Sequence, residues 1–307
     1  MKHRIGYACI NLSTDIPLNR TCRLANAGDE RLREIITSNL SGLKKVLEWN
    51  RDNNIRLFRI SSDTIPFASH SVNKIQWWQD YKSELEEIGQ FLKDTAIRVY
   101  MHPGQIVNIN SPDFDVVRRS IEELEWHVKF LDSLNIDYTH KIVFHAGGVY
   151  GNKPEAVKRF IKVYNELPEN FKNRLTLEND DRSYNVWDLI EINKSTGIPL
   201  VFDNLHHHVL NTGKPKDKDI EEIMKTFFST WDKKSGLPDI HYSTQKENAR
   251  AGSHSESINI EEFAYFFLKY YHLDFDIIFE TKDKDLSVLA VYEMFKTDKR
   301  FKELDIL

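Results

Sequence analysis

Residues 96–145, AIRVYMHPGQIVNINSPDFDVVRRSIEELEWHVKFLDSLNIDYTHKIVFH, contain one complete strand–helix–strand unit. The runs 96–101 and 141–145 are short and rich in β-branched and aromatic residues. Between them Val117, Ile121, Leu124, Val128, Leu131 and Leu134 recur every three or four positions, which predicts an amphipathic helix over 113–134. Ser111-Pro112 read as its N-cap and first-turn proline.

The same unit repeats outward in both directions. Runs at 4–10, 55–61, 174–178, 199–203, 238–242 and 275–280 bring the strand candidates to eight, and 30–52 repeats the helical period with Leu32, Ile36, Leu40, Leu43 and Leu47. Eight strands alternating with helices, with no linker or shift in composition, predict an α/β fold: a (β/α)8 TIM barrel forming a single domain over 1–307. An open doubly wound sheet is the alternative. No G-x-G-x-x-G turn follows any strand, so no nucleotide cofactor is expected. The longest expected loops, 204–217 and 243–257, both follow strands and so belong to the catalytic face of a barrel.

A chain of 307 residues suits one large barrel core. Forty-two basic against 47 acidic residues give a net charge of −5, which argues against a protein that coats DNA by bulk positive charge. Two cysteines, Cys9 and Cys22, fit neither a disulfide framework nor a Cys-x-x-Cys metal pair. No signal peptide or long apolar span is legible, so a cytoplasmic protein without membrane contact is expected. The absence of a coiled coil makes a monomer the default.

The chemistry lies in the strand ends. His102, His145, Glu178, Asp203, His241 and Glu280 fall at or beside the ends of six consecutive strands, which converge on one rim of a barrel. One such histidine is weak evidence; six in succession predict a metal centre. His206 and His254, on the loops after strands six and seven, can reach the same place. So many ligands exceed what one ion needs, so two or three are expected, with Glu178 or Glu280 able to bridge. Mixed imidazole and carboxylate donors favour Mn2+, with Zn2+ or Fe2+ as alternatives, over Mg2+. Clustered divalent ions suit in-line displacement at phosphorus, so phosphodiester hydrolysis is the leading reading. A metal-dependent sugar isomerase and a damage-binding module with structural metal are the competing ones.

Several motifs accompany these ligands in order: Gly6-Tyr7…Asn11-Leu12, Arg59-Ile60-Ser61-Ser62-Asp63, His102-Pro103-Gly104-Gln105, His145-Ala146-Gly147-Gly148, Leu177-Glu178-Asn179-Asp180-Asp181, Phe202-Asp203 with His206-His207-His208, His241-Tyr242-Ser243, and His254. From Arg4 to Glu280 the chain resembles the UV damage endonucleases, barrel nucleases related to the endonuclease IV type. The resemblance implies a metal-dependent enzyme that nicks damaged double-stranded DNA immediately 5′ of UV photoproducts, leaving a 3′-hydroxyl and 5′-phosphate. It implies one ion held by His102, His145 and Glu178, a second by Glu178, Asp203, His241 and Glu280, and a third by His206 and His254. Glu178 and His70 are the implied catalytic residues, Tyr7 and Asn11 line the implied lesion pocket, and Gln105 enters the duplex.

Two positions depart from the pattern. Asp239 replaces a lysine found in some members; on the Asp-x-His pattern of the endonuclease IV type it is expected to be a further metal ligand. Ile106 follows Gln105 where an aromatic is common, and is expected to act as an aliphatic wedge against the lesion. Arg59, Lys153 and Arg182 are rim candidates for phosphate contact, whereas Lys214, Lys216 and Lys218 read as solvated surface charge.

Overall fold

The computed structural model describes residues 3–104, 106–210, 220–302 and 304. Gln105 and the lysines at 214, 216 and 218 lie outside the described residues. Eight parallel strands, β1 (Ile5–Ala8), β2 (Leu57–Ile60), β3 (Arg98–Met101), β4 (Lys141–His145), β5 (Leu175–Glu178), β6 (Leu200–Asp203), β7 (Asp239–Tyr242) and β8 (Asp276–Phe279), close into a barrel in sequence order. All eight expected strands form. Among the described residues no helix is long and apolar enough to cross a membrane.

Side chains of a strand alternate between its two faces, and this period of two builds the site. Outward residues such as Tyr7, Phe58, Val99, Ile142, Leu177 and Phe202 join the core beneath the helices. Inward residues form layers along the barrel axis. Arg98, Lys141 and Asp276 are buried nearest the strand starts, and Leu57, Tyr100, Val143, Val201 and Ile278 belong to an apolar cluster midway. The next inward positions are Arg59, His102, His145, Glu178, Asp203, His241 and Glu280. Ladder pairing then sets His145 beside Glu178 and Asp203 beside His241. Gly6 allows β1 to approach β2: a Cβ there would lie 2.2 Å from the Leu57 carbonyl oxygen.

Two local expectations need correction. The helix expected over 113–134 runs Phe114–Ser133, and its N-cap is Asp113, whose carboxylate accepts the N–H groups of Asp115 and Val116. Ser111 instead accepts from the Asp113 N–H, and Pro112 stays outside the helix. An Asp113→Ala variant is expected to lose about 1 kcal/mol in urea unfolding. Residues Asn204–Leu210, expected as loop, form a short helix. Asp203 starts it, accepting the His206 N–H at 2.7 Å, while the Asn204 side chain pairs with the backbone of Ser243. The 243–257 segment is irregular as expected and folds back on itself through an isolated Gln245–His254 bridge.

Candidate metal centre

Six side chains at or beside strand ends, His206 on the short helix Asn204–Leu210 and His254 on the loop after β7 meet at the carboxyl end of the barrel. Glu178, at the end of β5, is buried and central: Oε2 lies 3.0 Å from His102 Nε2 and 3.7 Å from His145 Nε2, while Oε1 lies 3.0 Å from His241 Nδ1 and 3.4 Å from His206 Nδ1. Two sets of ligand atoms, His102/His145/Glu178 and Glu178/Asp203/His241/Glu280, each lie within 4.8 Å of one another. These groupings coincide with the two sets that the resemblance implies, and they share Glu178. Burial and hydrogen bonding fit a cation: Asp203 Oδ2, His145 Nδ1 and both ring nitrogens of His241 are buried without a hydrogen-bond partner. A polar atom buried unpaired is costly, and coordination would satisfy it.

Neighbouring groups aim the ligands. His102 Nδ1 sits 2.9 Å from the Pro103 carbonyl, which leaves Nε2 facing Glu178. Ser62 Oγ touches both the His102 carbonyl and the buried His127 Nε2. His206 Nδ1 is 2.9 Å from the Asn179 carbonyl, and Ser243 Oγ is 2.8 Å from His254 Nδ1. The rings of His206 and His254 are 6.1 Å apart, and His254 Nε2 lies 3.6 Å from Glu280 Oε2. Such outer contacts fix imidazole tautomers and raise ligand basicity. His127 carried no sequence signal, because a histidine on a helical period reads as ordinary core, and Ser62 stood in the Arg59–Asp63 motif with no role of its own.

Charge is distributed as if cations belonged there. Against the effect of burial, the charges of His241 and His145 hold the Glu178 carboxyl well below the usual carboxylate range. Burial likewise opposes ionisation of Glu280, but Arg59 and His241 hold it low. Arg59 forms a close ion pair with Glu280. Burial would lower His206, yet Asp203 and Glu178 push it up to about 11; His241 is also raised well above the ordinary imidazole range, by Glu178 and Glu280. Asp203 is pushed up to about 7 by burial. Protons on two imidazoles thus balance carboxylates that a metal would otherwise neutralise.

Asp239 stands apart from this cluster. Two residues before His241 on the same strand face, it lies one layer deeper, and Oδ2 is 3.6 Å from His241 Nε2, the ring nitrogen away from Glu178. Asp239 thus belongs to neither ligand set and lies behind the His241 imidazole, with both carboxylate oxygens buried and without a hydrogen-bond partner. Asp239→Asn is expected to weaken Mn2+ binding about 10- to 100-fold by titration calorimetry.

The remaining expected site residues are scattered. His70 is exposed on the loop after β2, its Nδ1 accepting the Val72 N–H, with no hydrogen bond or ion pair to the cluster among the described residues. Tyr7 is fully buried and Asn11 only 4% exposed; the Asn11 amide donates to the Tyr7 hydroxyl, which donates to Asn50. Their place is under the rim, because Tyr7 points outward from β1 into the core. Ile106 is 69% exposed. Lys153 pairs with Asp188, and Arg182 lies near Asp181. A cavity of about 240 Å³ opens beside the centre, with His145, His206, Asn108, Gly147, Asp181 and Arg182 in its wall.

The fold is a (β/α)8 barrel, and the shared-carboxylate cluster at the carboxyl end of its sheet could hold metal ions. The family model for UV-endonuclease UvdE matches residues 3–305, so the chain belongs to that family. It is 41% identical over 294 residues to a UV DNA damage endonuclease of Clostridium perfringens (strain 13 / Type A), covering 95% of this chain and 71% of that one. The crystal structure of SacUVDE superposes with a TM-score of 0.88 at 38% identity, covering 96% of this chain and 98% of the other. Endonuclease IV from Thermus thermophilus shares the fold, with a TM-score of 0.59 at 13% identity over 95% and 99% of the two chains.

Proposed function

We propose that this protein is a cytoplasmic, monomeric DNA repair endonuclease that nicks damaged double-stranded DNA immediately 5′ of UV photoproducts, leaving a 3′-hydroxyl and a 5′-phosphate. The observation that carries this reading is Glu178, one buried carboxylate whose two oxygens face two separate ligand sets. His102, His145 and Glu178 would hold one divalent ion, Glu178, Asp203, His241 and Glu280 a second, and His206 with His254 a third, Mn2+ being the best match to this donor mixture. Ions so held supply Lewis acidity and an acidified water at neutral pH.

The chain itself does the rest. Arg59 fixes Glu280 from the side, and the short helix Asn204–Leu210 holds His206 over the centre. Around the same rim Ile10, Leu12, Ile106, Phe114, Tyr150 and Trp187 are exposed on loops or first helical turns after β1, β3, β4 and β5. Apolar side chains of this kind can enter a duplex where a lesion has weakened stacking. The cavity beside His145 and His206 gives an extruded nucleotide room next to the ligands.

The test uses the Mn2+-loaded protein on irradiated and unirradiated supercoiled plasmid, then on an end-labelled duplex carrying one photoproduct. Expected is nicking of irradiated DNA alone, one cut 5′ of the photoproduct with a polymerase-extendable 3′ end, and no cutting after chelation. Equal nicking of both plasmids, or cleavage that survives chelation, would overturn the reading.

A further inference from the structure

The loop after β8 carries a lysine that no expectation above includes. Lys284 has φ 54° and ψ −115°, and the Leu286 N–H donates to the Asp283 carbonyl at 3.0 Å. That is the first corner of a type II′ turn, a conformation dominated by glycine, asparagine and aspartate. Lys284 is also the N-cap of the helix Asp285–Thr297, where the helix dipole disfavours a cation. Its side chain is half-buried, yet it makes no hydrogen bond or ion pair with any described residue. Strain, dipole and partial desolvation all oppose a lysine here, and among the described residues no hydrogen bond or ion pair offsets them.

The surrounding backbone holds the turn rigidly. On one side the N–H groups of Lys282 and Asp283 donate to the Ser255 and Glu256 carbonyls; on the other, the Asp285 carboxylate accepts from the N–H groups of Leu12 and Ser13. Residues kept in sparsely populated backbone regions by such over-determination cluster at functional sites. Cys9, which follows β1 and donates its N–H to the Arg59 carbonyl, is a second, with φ 71°. The Lys284 ammonium is held below the ordinary lysine range by burial and by the guanidinium of Arg59, whose own Nε is buried without a partner. Two cations with unused donors therefore share the flank of the ligand Glu280. Glu280 already pairs with one Arg59 nitrogen, so a second anion is what the Lys284 ammonium and the Arg59 Nε could still engage.

We propose that Lys284, backed by Arg59, binds a backbone phosphate of the DNA strand on the β8 flank of the metal centre. The assignment rests on the endonuclease reading and makes the β8 turn part of the substrate surface. A flexible ammonium tracks a phosphate as a point charge, independent of base sequence.

Three variants of the full chain test it: Lys284→Gly, Lys284→Met and Lys284→Arg, each loaded with Mn2+. Glycine relieves the strain, so Lys284→Gly is expected to melt about 2–4 °C higher with unchanged metal content. For Lys284→Gly and Lys284→Met, the slope of log affinity against log salt on an undamaged duplex should shrink by about one unit, with affinity about tenfold weaker at low salt; arginine should preserve both. An unchanged slope in Lys284→Gly, or loss of metal from it, overturns the proposal. The binding measurement needs no cleavage, so a wild type that cuts nothing counts against the endonuclease reading alone.

Discussion

Glu178→Gln is expected to abolish nicking of UV-irradiated plasmid and to lower the bound metal per chain. The substitution keeps the shape of the side chain but removes its charge and turns one oxygen into an amide NH2, which cannot ligate. Because Oε2 serves the His102/His145 set and Oε1 the His241 set, either orientation of the amide deprives one set of its shared oxygen. Loss of an outer-contact residue costs about 10- to 100-fold in metal affinity or activity, so a shared buried ligand should cost at least that much. Single-turnover cleavage and metal analysis of the same preparation check it. His102→Ala, which disables only one set, should also fail to cut while retaining part of the metal. A Glu178→Gln protein that nicks at wild-type rate would remove the shared carboxylate from the mechanism.

The same variant has a pH signature in metal-free protein. His206 is raised in the folded state from 6.5 to about 11, mainly by Asp203 and Glu178 against the effect of burial. A raised pKa means the folded state holds the proton more tightly, so this contribution to stability is complete below 6.5 and is lost as pH climbs through about 11. Chelator-treated wild type should therefore lose melting temperature across that window. Glu178→Gln should lose less, because one of the two carboxylates that raise His206 is gone. Equal slopes would show that Glu178 does not govern the His206 proton.

The barrel was legible because two periods are written plainly in the chain, and the ligand set because charged or imidazole side chains at strand ends are costly unless something binds them. What was hidden depends on depth and on local hydrogen bonding. Tyr7 and Gly6 are adjacent, yet one faces the outer core and the other the barrel axis, so proximity to a rim motif did not make Tyr7 a rim residue. The resemblance to an Asp-x-His pattern made Asp239 a candidate ligand, but a shift of two residues along a strand moves a side chain by about 6.6 Å, which here places it behind the His241 ring. Asn204–Leu210 is too short for a hydrophobic period, and its start depends on a carboxylate that sequence reasoning had already assigned to metal. Lys284 gave no signal because lysine in a loop is ordinary; only its backbone angles and lack of partner set it apart.

At the opposite end of the same strands, Arg98→Met is expected to cost about 3–5 kcal/mol of stability while leaving the specific activity of the folded protein unchanged. Arg98 begins β3, is 2% exposed, and directs its donors to the Asp276 carboxylate at 2.7 Å and to the carbonyls of Thr139, Ser235 and Leu237. It also lies over the rings of Tyr100 and Trp231. Methionine fills much of the volume but leaves the three carbonyls, that of Ser235 buried, without this donor and Asp276 with only Arg4, whose guanidinium is 3.7 Å away and partly in solvent. An uncompensated buried charge, more than lost packing, sets the size of the effect. Arg98→Met/Asp276→Leu should therefore recover part of the loss, a non-additivity that a double-mutant cycle in urea reads directly. Activity is spared because His102 lies two inward positions further along β3, above the layer of Tyr100. A loss below about 1 kcal/mol, or a double mutant no more stable than Arg98→Met, would mean that the Arg98–Asp276 pair is not what closes the amino end of the barrel.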